Sequence, residues 1–194
     1  MTEHLRPKLR NAMQNLLVAR ARLDGKRGWD ALYRYWQPRF LGFAIRRTGD
    51  REVARDALQS AWIDIYRGLA RLKDDRAFAV WAYRTVNRRC LKAMAKQARH
   101  DAAADPGLTD SAVTDDPGDR AITELDLGRA IDRLSPGHQT VLTLFYREGF
   151  RVAEIALALD IAEGTVKTRL MHARNQLKTM MQDEIVKETE NGPV

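Results

Sequence analysis

Residues 151–174, RVAEIALALDIAEGTVKTRLMHAR, decide the fold. Ile155, Ala156 and Leu159 make an apolar stripe at helical spacing. Ile161 follows a short break, and Val166, Leu170, Ala173 and Leu177 then recur at three and four residues. The pattern predicts two helices joined by a tight turn, with both stripes closing on one small core. The free face of the second helix would carry Thr165, Lys167, Thr168, Arg169, His172 and Arg174. Such a helix can lie in a major groove, where side chains near its N-terminus reach base edges and Arg or Lys pairs with guanine. Asp160 occupies the turn, where glycine is common. Aspartate tolerates left-handed backbone better than most residues, so the turn is expected to survive.

The same period extends outward in both directions, and no strand alternation interrupts it. Gly149 reads as the end of a helix that Ser135 caps, with Pro136 at its first position. Another helix spans roughly Thr123 to Leu134. Nearer the N-terminus, one helix covers about 11–23, and a second starts near Trp29 and ends at Thr48-Gly49-Asp50. Asp50 is placed to cap a third helix, whose stripe is Val53, Ala57, Leu58, Ala61, Trp62, Ile65 and Leu69. Lys73-Asp74-Asp75 breaks the pattern before a fourth helix, from near Arg76 to about Arg99. Trp29, Tyr33, Trp36, Phe40 and Phe43 recur at helical spacing and are expected in the core. The extra N-terminal segment, with Arg6, Lys8, Arg10, Arg20 and Arg22, reads as a solvated helix packing lightly on its neighbour, or as a surface for a regulator.

Composition divides the chain in two. Residues 101–120, DAAADPGLTDSAVTDDPGDR, hold six acids and one base, a net of −5 within a chain of net charge +7, so the flanks carry +12. Rich in Ala, Asp, Pro and Gly and without apolar period, this stretch cannot bury enough surface to offset the entropy of ordering. It is expected to be a flexible acidic linker, serving as a solvating tether or as a nucleic-acid mimic. The fold class is therefore all-α, with two small helical domains joined by that linker. No run of eighteen apolar residues is present, so membrane insertion is not expected and the chain is read as cytoplasmic. One cysteine, Cys90, excludes an internal disulfide and reads as a packing residue; with four scattered histidines it offers no metal-ligand spacing. No phosphate-cradling glycine loop or activated nucleophile appears, so neither enzymatic activity nor a cofactor or metal is expected. Asp74 and Asp75, which could pass for a catalytic pair, read as loop caps.

From Arg76 to His100 the chain carries seven Lys or Arg residues and no Asp or Glu. One-signed charge of that length repels itself unless something neutralises it, and phosphates do so while releasing counterions. Phe78, Trp81 and Tyr83 are interleaved with the bases. Some of the three must be core, yet a basic helix bearing aromatics can also hold unstacked bases, each stack being worth about 1–3 kcal/mol. The combination points to melted DNA as well as duplex.

On these residues the chain resembles the extracytoplasmic-function (ECF) sigma factors of bacterial RNA polymerase, in the sigma-70 superfamily. GDREVARDALQSAWIDIYRGLARLKDDRAFAVWAYRTVNRRCLKAMAKQAR is similar to their domain two, and AIDRLSPGHQTVLTLFYREGFRVAEIALALDIAEGTVKTRLMHARNQL to domain four. The resemblance implies an N-terminal extension at 1–26, sigma domain two at 27–100, the acidic linker at 101–121, sigma domain four with its helix-turn-helix at 122–182, and a tail at 183–194. It implies that Asp56, Gln59, Ser60, Trp62 and Ile63 dock on the clamp helices of the largest subunit of core RNA polymerase, with a further contact at the flap. Lys73, Arg76, Trp81, Arg84, Asn87, Arg88 and Lys92 would then bind the −10 element, and Thr165, Lys167, Thr168, Arg169, His172 and Arg174 the −35 element. An anti-sigma factor or other regulator is implied as a partner beside polymerase and promoter DNA. The clamp-binding surface departs from the family pattern: Ser60 stands where an acid is usual after glutamine, and Arg55 where an acid often precedes Asp56. Phosphorylation of Ser60 would restore one charge. Asn87-Arg88 also inverts the usual order of the promoter-reading helix. Without the resemblance, the helix-turn-helix alone would admit a stand-alone regulator that binds an operator without polymerase.

Overall fold

A computed structural model describes residues 5–103 and 122–190. The first unit consists of α1 (Leu5–Leu23), α2 (Gly25–Thr48), α3 (Arg51–Leu69), a 3₁₀ turn (Asp75–Ala77) and α4 (Phe78–Ala103). Helix α2 begins at Gly25, ahead of the expected Trp29, because Gly25 takes φ +55° and reverses the chain within one residue. α1 can then pack closely on α2: Gly28 lies against the Arg20 carbonyl, where any side chain would collide. Gly49 (φ +73°) closes α2, its N–H donating to the Ile45 carbonyl. Asp50 then caps α3, its carboxylate accepting from the N–H groups of Glu52 (2.7 Å) and Val53 (2.9 Å).

Leu32, Trp36, Phe40, Phe43 and Ala44 of α2 meet Ala57, Leu58, Ala61 and Ile65 of α3 and Phe78, Tyr83, Val86 and Cys90 of α4 in one core. Cys90 is buried, and burial pushes its thiol up to about 12, as fits a packing residue. Trp29 and Tyr33 were expected in this core. Trp29 is instead half-buried and Tyr33 exposed, because they lie on the neighbouring ridge of the helix. α1 also departs from expectation. Val18 is fully buried, and Arg22 donates to the Leu72 carbonyl and pairs with Asp75 at 3.0 Å. The N-terminal helix thus braces the loop before α4, and does more than pack lightly.

The second unit comprises α5 (Ile122–Asp132), α6 (Pro136–Leu142), a π-helical stretch (Thr143–Arg147), α7 (Val152–Leu159) and α8 (Glu163–Glu190). Ser135 caps α6 by accepting from the His138 N–H, with Pro136 at the first position. Gly149 turns the chain with φ +72°, and the Arg151 N–H donates to the Glu154 carboxylate at 2.7 Å, fastening the start of α7. Asp160 adopts the left-handed conformation (φ 58°, ψ 48°) and the turn is intact. Ile155, Ala156, Leu159, Val166, Leu170 and Ala173 are buried as the spacing predicts. α4 extends three residues into the expected linker, and α8 continues into the expected tail as far as Glu190. The rest of the linker, 104–121, lies outside the described residues.

The two units also touch, which the composition did not foretell. α7 packs on α4 and α6 on α2, and the Tyr83 and Phe150 rings meet edge to face at 5.5 Å and 90°.

Candidate nucleic-acid and partner interfaces

Helix α2 presents two ridges. Leu32, Trp36, Phe40 and Phe43 point inward, whereas Trp29, Tyr33, Gln37 and Leu41, spaced by four, line an open groove of about 610 Å³ against α3. Its other wall is Arg55, Leu58, Gln59, Trp62, Ile63, Tyr66 and Arg67. Trp62 forms the floor. Its indole N–H donates to Gln37 Oε1 at 2.5 Å, and the Trp29 and Tyr33 rings stand 5.7 and 4.8 Å from it. Ile63 and Tyr66 are 48% and 64% exposed, a large apolar display for side chains that could have turned inward. Asp56 and Gln59 are exposed and Ser60 is half-buried. Sequence reasoning placed Trp62, Ile63 and Gln59 here and missed Trp29, Tyr33, Gln37 and Tyr66. Gln37, a polar residue in an otherwise aromatic row, was the signal that this ridge is not core.

On α4, Arg84, Arg88 and Lys92 are exposed, as are Lys73 and Arg76 before it. Arg89 is engaged instead: it grips both Asp64 oxygens at 2.5 Å, and this pairing holds the Asp64 carboxyl below the usual carboxylate range. Asp64, Thr85, Arg88, Arg89 and Lys92 enclose a cleft of about 260 Å³ of largely positive character. Phe78 and Tyr83 are core. Trp81 is intermediate. Its ring lies on Gly68, so closely that a Cβ there would stand 2.6 Å from Cζ2. Asp74 accepts from the Arg76 N–H at 2.9 Å and acts as the loop cap that the sequence suggested; this bond keeps its carboxyl acidic. Asn87 is 0% exposed. Its Oδ1 accepts from Arg47 Nε at 2.9 Å and its Nδ2 donates to the Leu159 carbonyl at 3.1 Å, so it faces the second unit and not solvent.

On α8, Lys167, Thr168 and His172 are exposed and Thr165 is half-buried. The Thr168 hydroxyl donates back to the Gly164 carbonyl at 3.0 Å. Arg174 is held by the π-helical stretch: its Nε donates to the Tyr146 hydroxyl at 2.9 Å and its guanidinium lies over the Phe145 ring at 5.3 Å. The Arg169 guanidinium lies beside Gly137. The His172 ring stacks on His138 at 6.4 Å, and Lys167 stands exposed between these held residues. Among the described residues no cluster of His, Cys, Asp and Glu could hold a metal, and no helix is long and apolar enough to cross a membrane.

Two family patterns match the chain, Sigma-70 region 2 over residues 32–100 and Sigma-70 region 4 over residues 124–177. An ECF RNA polymerase sigma factor, SigL of Mycobacterium tuberculosis, is 31% identical over 145 residues, covering 73% of this chain and 81% of its own. The chain belongs to the ECF sigma factors. RNA polymerase sigma-H factor of Pseudomonas aeruginosa is 27% identical to this sigma factor over 180 residues, covering 86% of this chain and 92% of its own. The fold is shared with sigma factor RpoE of Bartonella quintana, solved with the anti-sigma factor NepR. That likeness has a TM-score of 0.63 and 19% identity, and covers 79% of this chain and 96% of that one. A second solved structure, CnrH with the cytosolic domain of CnrY, shares the fold at TM-score 0.54 and 19% identity, covering 88% and 97%. In this sigma factor the region 2 match includes α3, α4 as far as residue 100 and the ridge from Tyr33 onward, and the region 4 match includes the helix-turn-helix. Helix α1 precedes both.

Proposed function

We propose that this sigma factor binds core RNA polymerase through the groove between α2 and α3, reads the −35 element as duplex with the start of α8, and holds the melted −10 strand along the 3₁₀ turn and α4. The observation that carries this reading is the pairing, on one chain, of an exposed aromatic groove with a basic helix and a helix-turn-helix. A stand-alone operator-binding regulator would need the last of these alone. The protein works in the cytoplasm, forms no bonds itself and recruits a polymerase that does. Gln59 rims the groove and Asp56 is exposed on the same helix; both serve as polar contacts to the clamp helices, while Trp62, Ile63 and Tyr66 supply the apolar area. The boundaries given by the resemblance divide the labour: domain two at 27–100, linker at 101–121 and domain four at 122–182.

The test is run-off transcription with purified core polymerase. Promoter-specific transcripts that depend on the protein are expected; a footprint on an operator by the protein alone, without such transcripts, overturns the reading. Phosphorylation of Ser60 is proposed to restore the negative charge that Arg55 and Ser60 remove from the docking surface. That part fails if Ser60→Ala supports transcription in cells as well as wild type and Ser60→Glu binds core polymerase no better.

A further inference from the structure

We infer that Arg22 of α1 is a positioning residue for the −10 strand: from outside the region 2 match it sets the loop between α3 and α4, and it touches no DNA itself. The inference rests on the assignment of that loop and the start of α4 to the melted strand. Two contacts from one guanidinium carry it. Arg22 Nη2 donates to the Leu72 carbonyl, and Nη1 stands 3.0 Å from Asp75 Oδ1. These anchors lie on either side of Lys73 and Asp74, both exposed. The tip of the loop is thus held at both ends by a side chain 50 residues before Leu72.

The Arg22 and Asp75 side chains are 29% and 28% exposed, and Asp75 Oδ1 is buried and accepts no hydrogen bond. A carboxylate oxygen cut off from water needs a counter-charge, and Arg22 supplies it. The neighbouring Asp74 has a different task. It accepts from the Arg76 N–H and closes the 3₁₀ turn within the loop. Asp74 shapes the loop, whereas Asp75 ties it to α1.

α1 can serve as the anchor because it is itself fixed. Val18 is fully buried, and Leu17 and Ala21 pack on the same core. Gly28 brings α2 against the Arg20 carbonyl, two residues from Arg22. Arginine suits the role, since its planar fork reaches two acceptors at once where lysine offers a single point charge. Lys73 and Arg76 stay exposed on the loop so fixed. Without Arg22, the Asp75 carboxylate turns to water and carries the loop away from the strand.

The role is tested with holoenzyme reconstituted from full-length variants and a fluorescent fork-junction DNA that bears the single-stranded −10 element of a promoter the wild type directs. Arg22→Ala should weaken fork binding about tenfold, or about 1.4 kcal/mol, the worth of one base contact, with core-polymerase affinity unchanged. Because Arg22 acts through the loop, the salt slope of log K should stay at the wild-type value, whereas loss of a phosphate contact would lower it by about one. Asp75→Asn removes the same anchor from the other side with little change in shape. The double variant should bind no more weakly than Arg22→Ala alone. In the free proteins, amide hydrogen exchange over 70–77 should quicken in Arg22→Ala while α2 keeps wild-type protection. Wild-type fork affinity in both folded single variants, additive losses in the double variant, a reduced salt slope, or unmoved exchange in the loop each overturns the inference. If the wild type supports no run-off transcription, the sigma reading fails; if it does and the variants match it, this inference alone fails.

Discussion

Gly68→Ala separates the stability of domain two from its grip on melted DNA. The added Cβ would stand 2.6 Å from Trp81 Cζ2 and 3.0 Å from Cη2, so the indole must swing off α3. Two effects oppose each other. Replacing glycine by alanine inside a helix is worth about 1 kcal/mol, and forcing a methyl into a filled site costs about 1–3 kcal/mol. Trp81 is only half-buried, so the ring can yield toward solvent and the cost sits at the low end. The net change is near zero, and the melting midpoint should move by less than about 5 °C, given roughly 4–8 °C per kcal/mol for a domain of this size. Trp81→Ala is different. Half-burial makes its loss about half of the 3–5 kcal/mol of a buried aromatic, which lowers the midpoint by roughly 6–20 °C. Permanganate reactivity of −10 thymines, at a promoter the protein directs, should fall in both variants, while capture of the closed duplex is retained in Gly68→Ala. If Gly68→Ala melts far lower, the ring is locked in the core and the reasoning about Trp81 is wrong. If it melts normally and thymine reactivity is unchanged, ring placement is irrelevant to strand separation.

Tyr66→Ala removes the most exposed aromatic of the groove and should weaken core-polymerase binding by about 2 kcal/mol, near thirtyfold in Kd by calorimetry, without lowering the melting midpoint. Lys167→Ala should weaken −35 duplex binding and reduce the salt slope of log K by about one, measured by anisotropy across salt concentrations; an unchanged slope would place Lys167 off the phosphates. Burial raises the Glu148 carboxyl above its ordinary 4.5, so the folded state holds that proton more tightly than the unfolded one. Its contribution is most favourable below the ordinary value and declines as pH rises through the raised folded value. Glu148→Gln should abolish that decline and raise the midpoint at pH 7, whereas a lower midpoint would mean that Arg39 outweighs the desolvation.

Much of this architecture was legible because it rests on local rules. Caps at Asp50 and Ser135, the stop at Gly49 and the stripes of α3, α7 and α8 are decided within a few residues, and neighbouring side chains cannot overrule them. The start of α2 was misjudged for an equally local reason: Gly25, in the left-handed region, lets two helices abut with no loop, so composition shows no gap. Trp29 and Tyr33 were harder. Aromatics at spacing four look like core until the structure shows that α2 has two adjacent ridges, and that the core is already filled by Leu32, Trp36, Phe40 and Phe43.

The site residues were legible as residue types but not as states. A run of bases without acids marks α4 as the helix expected to meet a polyanion, yet it cannot reveal that Arg89 is spent on Asp64, 25 positions away, or that Arg84 is paired across a domain boundary. Asn87 shows the difference most sharply. From the chain it is one more polar residue facing a promoter, because position on the helix is all that spacing reports. In the fold, its amide completes the hydrogen bonding of a helix end that belongs to the other domain. A buried amide with both ends satisfied resists displacement, since freeing it into an apolar seam would leave polar groups unpaired. It can leave only if domain four leaves with it. The residue expected to face DNA is thus held by tertiary contacts that helical spacing does not report.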